Sequence, residues 1–252
     1  PFNDLDFAES LIDEHGGDIA GIIVEPLQRL IPPAPGFLET LRAKADEHGI
    51  VLIFDEVVTG FRLAYGGAQE AYGVAPDLCT LGKIIGGGMP LAAIAGREEI
   101  MRHFDKSAVG EEGFTFQTGT LSGNPLASIA GLKTLEILRR PGAYETLYAN
   151  GKRLMAAMSE PLTAHGILHQ IVGSPVLFDV VFTGDPVRDY RDMMKSDVDS
   201  AAIFNAAVRE KGILKPGAKL YPHLALTEED LQQTEAAFAY AAAQVAAKGN
   251  AA

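Results

Sequence analysis

Cysteine is nearly absent from this chain of 252 residues, because Cys79 is the only one. No disulfide can form within the chain, so we expect a protein of a reducing compartment, with the cytoplasm as the default location. Long apolar runs are also lacking, and none reaches the roughly 18 residues that a membrane-spanning helix needs. The N-terminus shows no basic flank or apolar core of a signal peptide. We therefore expect no membrane association.

Positive charge is scarce as well. The chain has 21 lysines and arginines against 33 aspartates and glutamates, which gives a formal net charge of −12. This balance disfavours nonspecific binding to nucleic acid. The six histidines show no H-E-x-x-H or other metal-ligand spacing, so we expect no metal. With 47% hydrophobic and 21% charged residues, the composition is ordinary for a globular protein of one large domain or two smaller ones.

Two short apolar segments each end in a charged side chain. Ile50-Val-Leu-Ile-Phe54 is followed by Asp55 and Glu56, and Leu78-Cys-Thr-Leu81 is followed after one glycine by Lys83. Such runs are typical of parallel strands that are covered on both faces. Because charged groups are costly inside these strands, we expect the acids and the lysine where the strands end. Ligands of open α/β sheets bind at that edge.

Three chemistries place an acid at a strand end. A P-loop requires G-x-x-x-x-G-K-[ST], whereas Gly82-Lys83 is preceded by Asp77 at the first glycine position and followed by Ile84. A dinucleotide fold needs G-x-G-x-x-G before the acid, but the run Gly86-Gly-Gly88 comes after it. Pyridoxal phosphate requires a lysine and a partner acid on a rigid α/β scaffold, and both are present.

Three motifs, in order and at matching spacing, identify a family resemblance. They are Asp55-Glu-Val-Val-Thr-Gly60, Thr80-Leu-Gly-Lys-Ile-Ile-Gly-Gly-Gly88 and Thr118-Gly-Thr-Leu-Ser-Gly-Asn-Pro-Leu-Ala127. The sequence resembles class III (fold type I) pyridoxal-phosphate aminotransferases, in the subgroup that contains glutamate-1-semialdehyde aminomutase. The resemblance implies an α/β fold with a mostly parallel sheet. It assigns residues 1–139 to the later part of the large cofactor-binding domain and residues 140–252 to a small C-terminal α+β domain.

The resemblance also implies roles for residues of the first two motifs. Lys83 would hold pyridoxal 5'-phosphate as a Schiff base and move the α-proton of the substrate. Asp55 would keep the pyridine nitrogen protonated, and Val57 would press on the face of the ring. Val58 would lie beside the ring hydroxyl, at a position that is also apolar in the aminomutase subgroup. Arg62 is a candidate for binding a substrate carboxylate.

Residues 118–125 precede a predicted helix. By themselves, their backbone N–H groups and hydroxyls indicate either a phosphate cradle or an ordinary N-cap loop. The resemblance favours the cradle, because the matching Gly119 and Thr120 would reach the cofactor phosphate of the neighbouring subunit. It therefore implies a homodimer with shared sites. Glu56 is either part of the site or a partner in a salt bridge at the surface or behind the site.

The implied activity is transfer of an amino group between an amino acid, such as a β- or D-amino acid, and a keto acid. The segment 214–225 is similar to the shorter form found in β-amino-acid aminotransferases, and unlike the acidic segment of true aminomutases. Aminomutase chemistry stays open as an alternative, as does a noncatalytic fragment of such an enzyme. Class III chains are much longer, so we expect this chain to lack the N-terminal half of the family fold.

Periodicity predicts the remaining elements. The first part reads as helix 5–15, strand 19–24, helix 37–48, strand 91–95, helix 98–104 and helix 127–138. Beyond residue 140, we expect helices over 144–162 and 199–211, strands over 167–173, 176–182 and 219–226, and a last helix opened by an N-cap at 227–230. Solvated strand ends are expected to account for Lys215, Lys219 and His223.

Overall fold

The computed structural model describes residues 1–249. Its helices, in chain order, are α1 (Leu5–His15), α2 (Phe37–His48), α3 (Gly67–Tyr72), α4 (Glu98–Met101), α5 (Lys106–Gly113), α6 (Pro125–Leu138), α7 (Ala143–Ala164), α8 (Tyr190–Met193), α9 (Val198–Glu210) and α10 (Glu228–Gly249). Its strands are β1 (Gly21–Val24), β2 (Val51–Glu56), β3 (Leu78–Leu81), β4 (Ala93–Gly96), β5 (Gln170–Ser174) and β6 (Leu177–Val181). Among the helices of residues 1–249, none has both the length and the hydropathy to cross a membrane.

The contacts between residues divide the chain into two compact units. The first consists of Pro1, Asn3–Gln28 and Pro33–Arg140. The second consists of Phe2, Arg29–Pro32 and the chain from Pro141 onwards. The domain boundaries of the whole protein, with a division after residue 139, stay a prediction.

The first unit is built on a four-stranded sheet with the order β1-β2-β3-β4. β1, β2 and β3 run parallel, and β4 runs antiparallel to β3. This confirms the prediction of an α/β fold with a mostly parallel sheet. The helix α2 provides the crossover that two adjacent parallel strands require.

The strands of this sheet are less evenly covered than their apolar runs predict. Leu52 and Phe54 of β2 are fully buried, whereas Ile53 on the other face is half-buried. In β1, Ile23 is 65% exposed. Burial on both faces was therefore the wrong expectation for β2 within residues 1–249, and β1 is likewise open on one face.

Asp77 holds the beginning of β3 in place. Its buried carboxylate accepts hydrogen bonds from Arg42 Nη1 (2.9 Å), Arg97 Nη1 (2.9 Å) and the backbone N–H of Leu52 (2.8 Å). Burial by itself raises the pKa of Asp77, but the hydrogen bonds from Arg97, Leu52 and Arg42 outweigh it and the net pKa is lowered. The ionised carboxylate therefore stabilises the folded sheet.

We expect Asp77→Asn to lower the free energy of unfolding by about 1.5–3 kcal/mol at neutral pH, the range for hydrogen bonds to a charged group. Because the folded pKa lies below the unfolded value of about 3.9, the contribution of Asp77 is complete above that pH and is lost as the pH falls through the folded pKa. Urea unfolding at several pH values should show that the stability difference between the wild type and Asp77→Asn decreases below about pH 4. The control Asp46→Asn, at the exposed partner of Arg42, should change stability by less than about 1 kcal/mol.

The second unit packs helices on a short hairpin. β5 and β6 pair antiparallel, and α7, α9 and α10 surround a core that includes Phe178, Phe204 and Phe238. The aromatic rings of Phe204 and Phe238 stack with centroids 5.9 Å apart. The predicted cap of the last helix is confirmed, because Thr227 Oγ1 accepts from the Asp230 N–H and the Asp230 carboxylate accepts from the Thr227 N–H.

The strand predicted over residues 219–226 is wrong. Within that segment, which the structure describes in full, only Leu220 pairs with the hairpin, where it exchanges two backbone hydrogen bonds with Phe178. In an antiparallel ladder the next donor on the same side is two residues along, and that residue is Pro222, which has no N–H. The pairing therefore stops after a single bridge.

Lys215 is not at a solvated strand end, contrary to the prediction. Its side chain is 1% exposed, and its Nζ lies 2.8 Å from Oδ2 of Asp179, whose side chain is 5% exposed. The same ammonium donates to Asn205 Oδ1 (2.8 Å) and to the carbonyl of Pro216 (3.1 Å). Burial raises the pKa of Asp179, against the lowering effect of the Lys215 charge. The hydrophobic pattern contained no signal for this pair, because it forms only when the segment after α9 meets β6.

Candidate active site

Asp55 and Lys83 lie at the carboxyl ends of adjacent parallel strands. In the register of β2 and β3, Asp55 is opposite Thr80 and Glu56 is opposite Leu81. Lys83 follows the end of β3 by two residues. The chain therefore brings an acid and an amine to the same edge of the sheet, which is the edge where ligands of open α/β sheets bind.

Two hydrogen bonds orient the Asp55 carboxylate. Its Oδ1 accepts from the hydroxyl of Thr80 (3.0 Å) and from the backbone N–H of Val57 (3.1 Å). Its Oδ2 has no hydrogen-bond partner among residues 1–249. Since the carboxyl group is half-buried, Asp55 presents one fixed and open oxygen to a donor at the strand end.

Val57 and Val58 begin the loop after β2, and both are half-buried. A Cβ built on Gly82 would lie 3.3 Å from Cγ1 of Val57. The Val57 side chain therefore packs against the residue that immediately precedes Lys83. A flat ring lying over the Val57 side chain would therefore lie near Asp55, which is two residues earlier in the chain. It would also lie near Lys83, which follows the adjacent strand β3.

Lys83 is exposed and has a strained backbone. Its φ is +49°, a region that non-glycine residues seldom adopt, and it begins a 3-10 turn over Lys83–Gly86. No hydrogen bond or ion pair engages its Nζ within residues 1–249. Strained residues of this kind cluster at functional sites, where the surrounding structure enforces the conformation.

The helix α6 fixes the turn that carries Lys83. A Cβ on Gly131 would collide with the carbonyl oxygen of Ile85, which belongs to the 3-10 turn Lys83–Gly86. The backbone of the helix thus packs directly on the backbone of the turn, with no side chain between them. This contact requires glycine at position 131, because the neighbouring atom is backbone and cannot rotate away.

We expect Gly131→Ala to lower the free energy of unfolding by about 1–3 kcal/mol, the usual range for overpacking. The direction of this change in stability is informative, because Gly→Ala inside a helix otherwise stabilises by about 1 kcal/mol. The measurement is urea unfolding of the purified variant. Gly17→Ala is the control, since no atom beyond its chain neighbours lies within 4 Å of the position that the new methyl group would take, and it should be neutral or slightly stabilising. A Gly131→Ala protein as stable as the wild type would contradict the close packing of α6 on the turn.

Glu56 points away from Asp55, into the protein interior, and is only 1% exposed. Its Oε2 accepts from the Thr59 hydroxyl (3.1 Å) and the Ala68 N–H (2.6 Å), and its Oε1 accepts from Gln69 Nε2 (2.9 Å). The sequence left open whether Glu56 belongs to the site or to a salt bridge. No cation pairs with it among residues 1–249, so the salt bridge was the wrong alternative.

A pocket of ≈ 360 Å³ adjoins Glu56, and its lining includes Phe61, Gln69 and Cys79. Burial raises the pKa of the Cys79 thiol, and the negative charge of Glu56 raises it further. A buried thiol that resists ionisation is a poor nucleophile. Cys79 is therefore a packing residue in this arrangement.

The remaining predicted site residues are Arg62, Gly119 and Thr120, and none of them is fully buried. Arg62 is half-buried in the loop that follows Val58. Gly119 and Thr120 are exposed, in the turn before α6, where the Gly119 carbonyl accepts from the N–H of Ser122. Within residues 1–249, no hydrogen bond joins Gly119 or Thr120 to Asp55 or Lys83. Their roles stay predictions.

Among the described residues, one exposed group in the first unit has the donor atoms for a metal ion, namely Asp13, Glu47 and His48. A cation already pairs with both acids, because Lys44 Nζ donates to Asp13 (2.7 Å) and to Glu47 (3.2 Å). The hydrogen bond to Asp13 is the main cause of the raised pKa of Lys44. An ammonium held between the acids makes this group a surface ion-pair cluster.

Sequence reasoning missed Thr80 and the anchoring contacts of Glu56. Thr80 could have been found, because pairing β2 with β3 in parallel at their predicted ends places Thr80 beside Asp55. The partners of Glu56 could not, because Ala68 and Gln69 lie 12 and 13 positions along the chain and reach it only through the fold of the intervening loop.

Comparison with known proteins identifies the family of this chain. Residues 4–241 match the sequence model of a family described as aminotransferase class-III. Glutamate-1-semialdehyde 2,1-aminomutase 2 of Brevibacillus brevis is 43% identical over 242 residues, which cover 93% of this chain and 55% of that protein.

Two solved structures share the fold. An omega-transaminase from Sphaerobacter thermophilus matches with a TM-score of 0.90 and 35% identity, over 97% of this chain and 56% of that one. A β-phenylalanine aminotransferase from Variovorax paradoxus matches with a TM-score of 0.86 and 32% identity, over 95% of this chain and 55% of that one. The chain thus spans a little over half the length of these relatives.

Proposed function

Since the chain belongs to the class III aminotransferase family, we propose that its protein is a pyridoxal-phosphate-dependent aminotransferase. It would move an amino group between an amino acid and a keto acid. The observation that carries the proposal is the arrangement of Asp55 and Lys83 at one sheet edge, where an oriented acid with an open oxygen neighbours an amine that no described residue engages. Class III aminotransferases use pyridoxal 5'-phosphate, and these residues fit that cofactor.

When bound, the cofactor would supply an electron sink that stabilises the negative charge developing on the reacting carbon as its proton leaves. The Oδ2 of Asp55 would accept a hydrogen bond from the N–H of the cofactor ring and so keep the ring nitrogen protonated. Lys83 would bind the cofactor aldehyde covalently through Nζ and, once released, move the α-proton of the substrate. Val57 would pack on the face of the ring, Val58 would lie beside the ring hydroxyl, and both would exclude water.

We propose amino acids as donors, with β- and D-amino acids first among them, and Arg62 as the group that binds a substrate carboxylate. The segment 214–225 and the likeness to a β-phenylalanine aminotransferase support β-amino acids as donors. The alternative is intramolecular amino transfer of the glutamate-1-semialdehyde type, which the 43% identical aminomutase favours.

We further propose a homodimer in which Gly119 and Thr120 bind the cofactor phosphate of the partner subunit. The support is an exposed apolar surface next to these residues. Leu126, Ile129 and Leu132 project from one face of α6 and are each more than 60% exposed. Exposed apolar surfaces of this kind mark contacts with other chains. Sedimentation of the full-length protein, which should show a dimer, tests this.

A cytoplasmic location is also proposed, because the single cysteine fits a reducing compartment.

The decisive experiment is cofactor binding by the purified full-length protein. We expect a visible absorbance band that stays with the protein after excess pyridoxal 5'-phosphate has been removed, and Asp55→Asn should weaken binding because the ring nitrogen loses its charged partner. A protein that stays colourless after reconstitution would overturn the proposal in favour of a noncatalytic relative. Donor screening with α-, β- and D-amino acids, beside a parallel assay with glutamate-1-semialdehyde, separates the aminotransferase from the aminomutase.

A further inference from the structure

Glu56 is a buried carboxylate without a counter-ion among residues 1–249. Its three partners, Thr59, Ala68 and Gln69, are all neutral donors. Burying an unpaired charge is costly, and such a group persists only where several hydrogen bonds compensate it. Both oxygens of an ionised carboxylate accept hydrogen bonds and neither donates. Glu56 can therefore bind several donors that approach it from different directions.

The donors belong to the two ends of one loop. Thr59 lies just after β2, whereas Ala68 and Gln69 lie in the first turn of α3. The carbonyl of Glu56 also accepts from the N–H of Gly60 (2.9 Å). Residue 67 closes the loop with a φ of +69°, and a Cβ there would collide with the Glu56 carboxylate. Glu56 therefore clamps both ends of the segment 57–67.

This clamp is mechanically connected to the candidate site. Val57 immediately follows Glu56, and its N–H donates to Oδ1 of Asp55. The Val57 side chain packs beside Gly82, the residue before Lys83. Since Asp55 and Glu56 point to opposite faces of β2, a change at Glu56 reaches the site through the backbone of Val57 and not through direct contact.

We propose that Glu56 is a positioning residue for the cofactor site. Its carboxylate fixes the turn that carries Val57, and through the Val57 N–H it orients the Asp55 carboxylate toward the ring nitrogen. The proposal rests on the proposed function, because the geometry that it fixes is that of the cofactor-binding acid. Nothing in this role requires Glu56 to touch the substrate or the cofactor.

The test compares variants by their dissociation constant for pyridoxal 5'-phosphate, measured by absorbance titration of the full-length apoprotein. Glu56→Leu, which removes all acceptors at similar size, should weaken binding at least about tenfold, which corresponds to about 1.4 kcal/mol. Glu56→Gln should stay within about threefold, because the Gln69 amide can turn and accept from the new amide. Near wild-type binding in Glu56→Gln together with weakened binding in Glu56→Leu would show that the hydrogen bonds of Glu56, and not the size of its side chain, are responsible.

A matched control separates positioning from general destabilisation. Leu38→Ala removes a fully buried side chain of α2 in the same unit and should lower the urea midpoint of the apoprotein. It should leave the dissociation constant within about twofold. If Glu56→Leu does not fold, Gln69→Leu replaces it, because Gln69 lies at the far end of the clamp and should weaken binding several-fold.

The outcomes discriminate between the proposals. A wild-type protein that binds no cofactor refutes the proposed function. Wild-type binding together with an unchanged dissociation constant in Glu56→Leu, or in Gln69→Leu where that variant stands in, overturns the role of Glu56 alone. Equal weakening by Leu38→Ala would also overturn it, since the effect would then follow stability and not position.

Discussion

Lys83→Ala is expected to abolish the visible absorbance of the bound cofactor and to lower amino transfer by about 10²–10⁴-fold or more, the range for loss of a general acid–base. The physical reason is that the amine at the end of β3 is the group that binds the cofactor and moves the proton in the proposed mechanism. Absorbance spectroscopy and a single-turnover assay with an amino donor measure the two effects separately.

The effect should be specific to this lysine. Lys133, which is exposed on α6 and paired with Glu136, is the matched control, and Lys133→Ala should retain both the absorbance and the activity. Lys83→Arg keeps the positive charge at the strand end but not the reactive amine, so it should behave like Lys83→Ala. Near wild-type absorbance in Lys83→Ala would sink the assignment of this residue.

Lys215→Met is expected to lower the free energy of unfolding by about 3–5 kcal/mol, the range for breaking a buried ion pair from one side. The substitution leaves the Asp179 carboxylate buried without its cation, and Asn205 loses a donor as well. Urea unfolding gives the magnitude. Since the cost arises from one uncompensated charge, it should exceed that of any exposed pair in the chain.

The pH dependence provides a second signature. Burial already raises the pKa of Asp179, and removal of Lys215 should raise it further above its unfolded value of about 3.9. A raised folded pKa means that the folded state takes up the proton more readily than the unfolded state. The deficit of Lys215→Met should therefore be full above that folded pKa and shrink as the pH falls through it.

Two further variants test the cause. Asp179→Leu combined with Lys215→Met removes both charges and should recover most of the lost stability, because an apolar replacement of a buried pair is often neutral. Lys195→Met removes an exposed lysine that pairs with Asp192 and should change stability by less than about 1 kcal/mol. A double variant no more stable than Lys215→Met would show that the pair is not the source of the effect.

The strands and the site edge followed from local patterns. Short apolar runs predicted β2 and β3, and polar residues after them marked their ends, so Asp55 and Lys83 were located before any pairing was known. The segment 219–226 misled the same reasoning, because its alternation resembles a strand while Pro222 blocks the ladder. The burial of Lys215 also escaped it, since a lysine after a helix is usually solvated.

By itself, the sequence determined the mostly parallel sheet, the family, and the placement of one acid and one amine at the ends of neighbouring strands. These features depend on periodicity and on contiguous motifs, which are local properties of the chain. Only the tertiary structure decided that Thr80 orients Asp55, that Glu56 clamps the loop 57–67, and that Asp179 neutralises Lys215. The bonds from Thr80 to Asp55, from Ala68 to Glu56 and from Lys215 to Asp179 join residues 25, 12 and 36 positions apart, and such pairs form only after the elements that carry them have packed together.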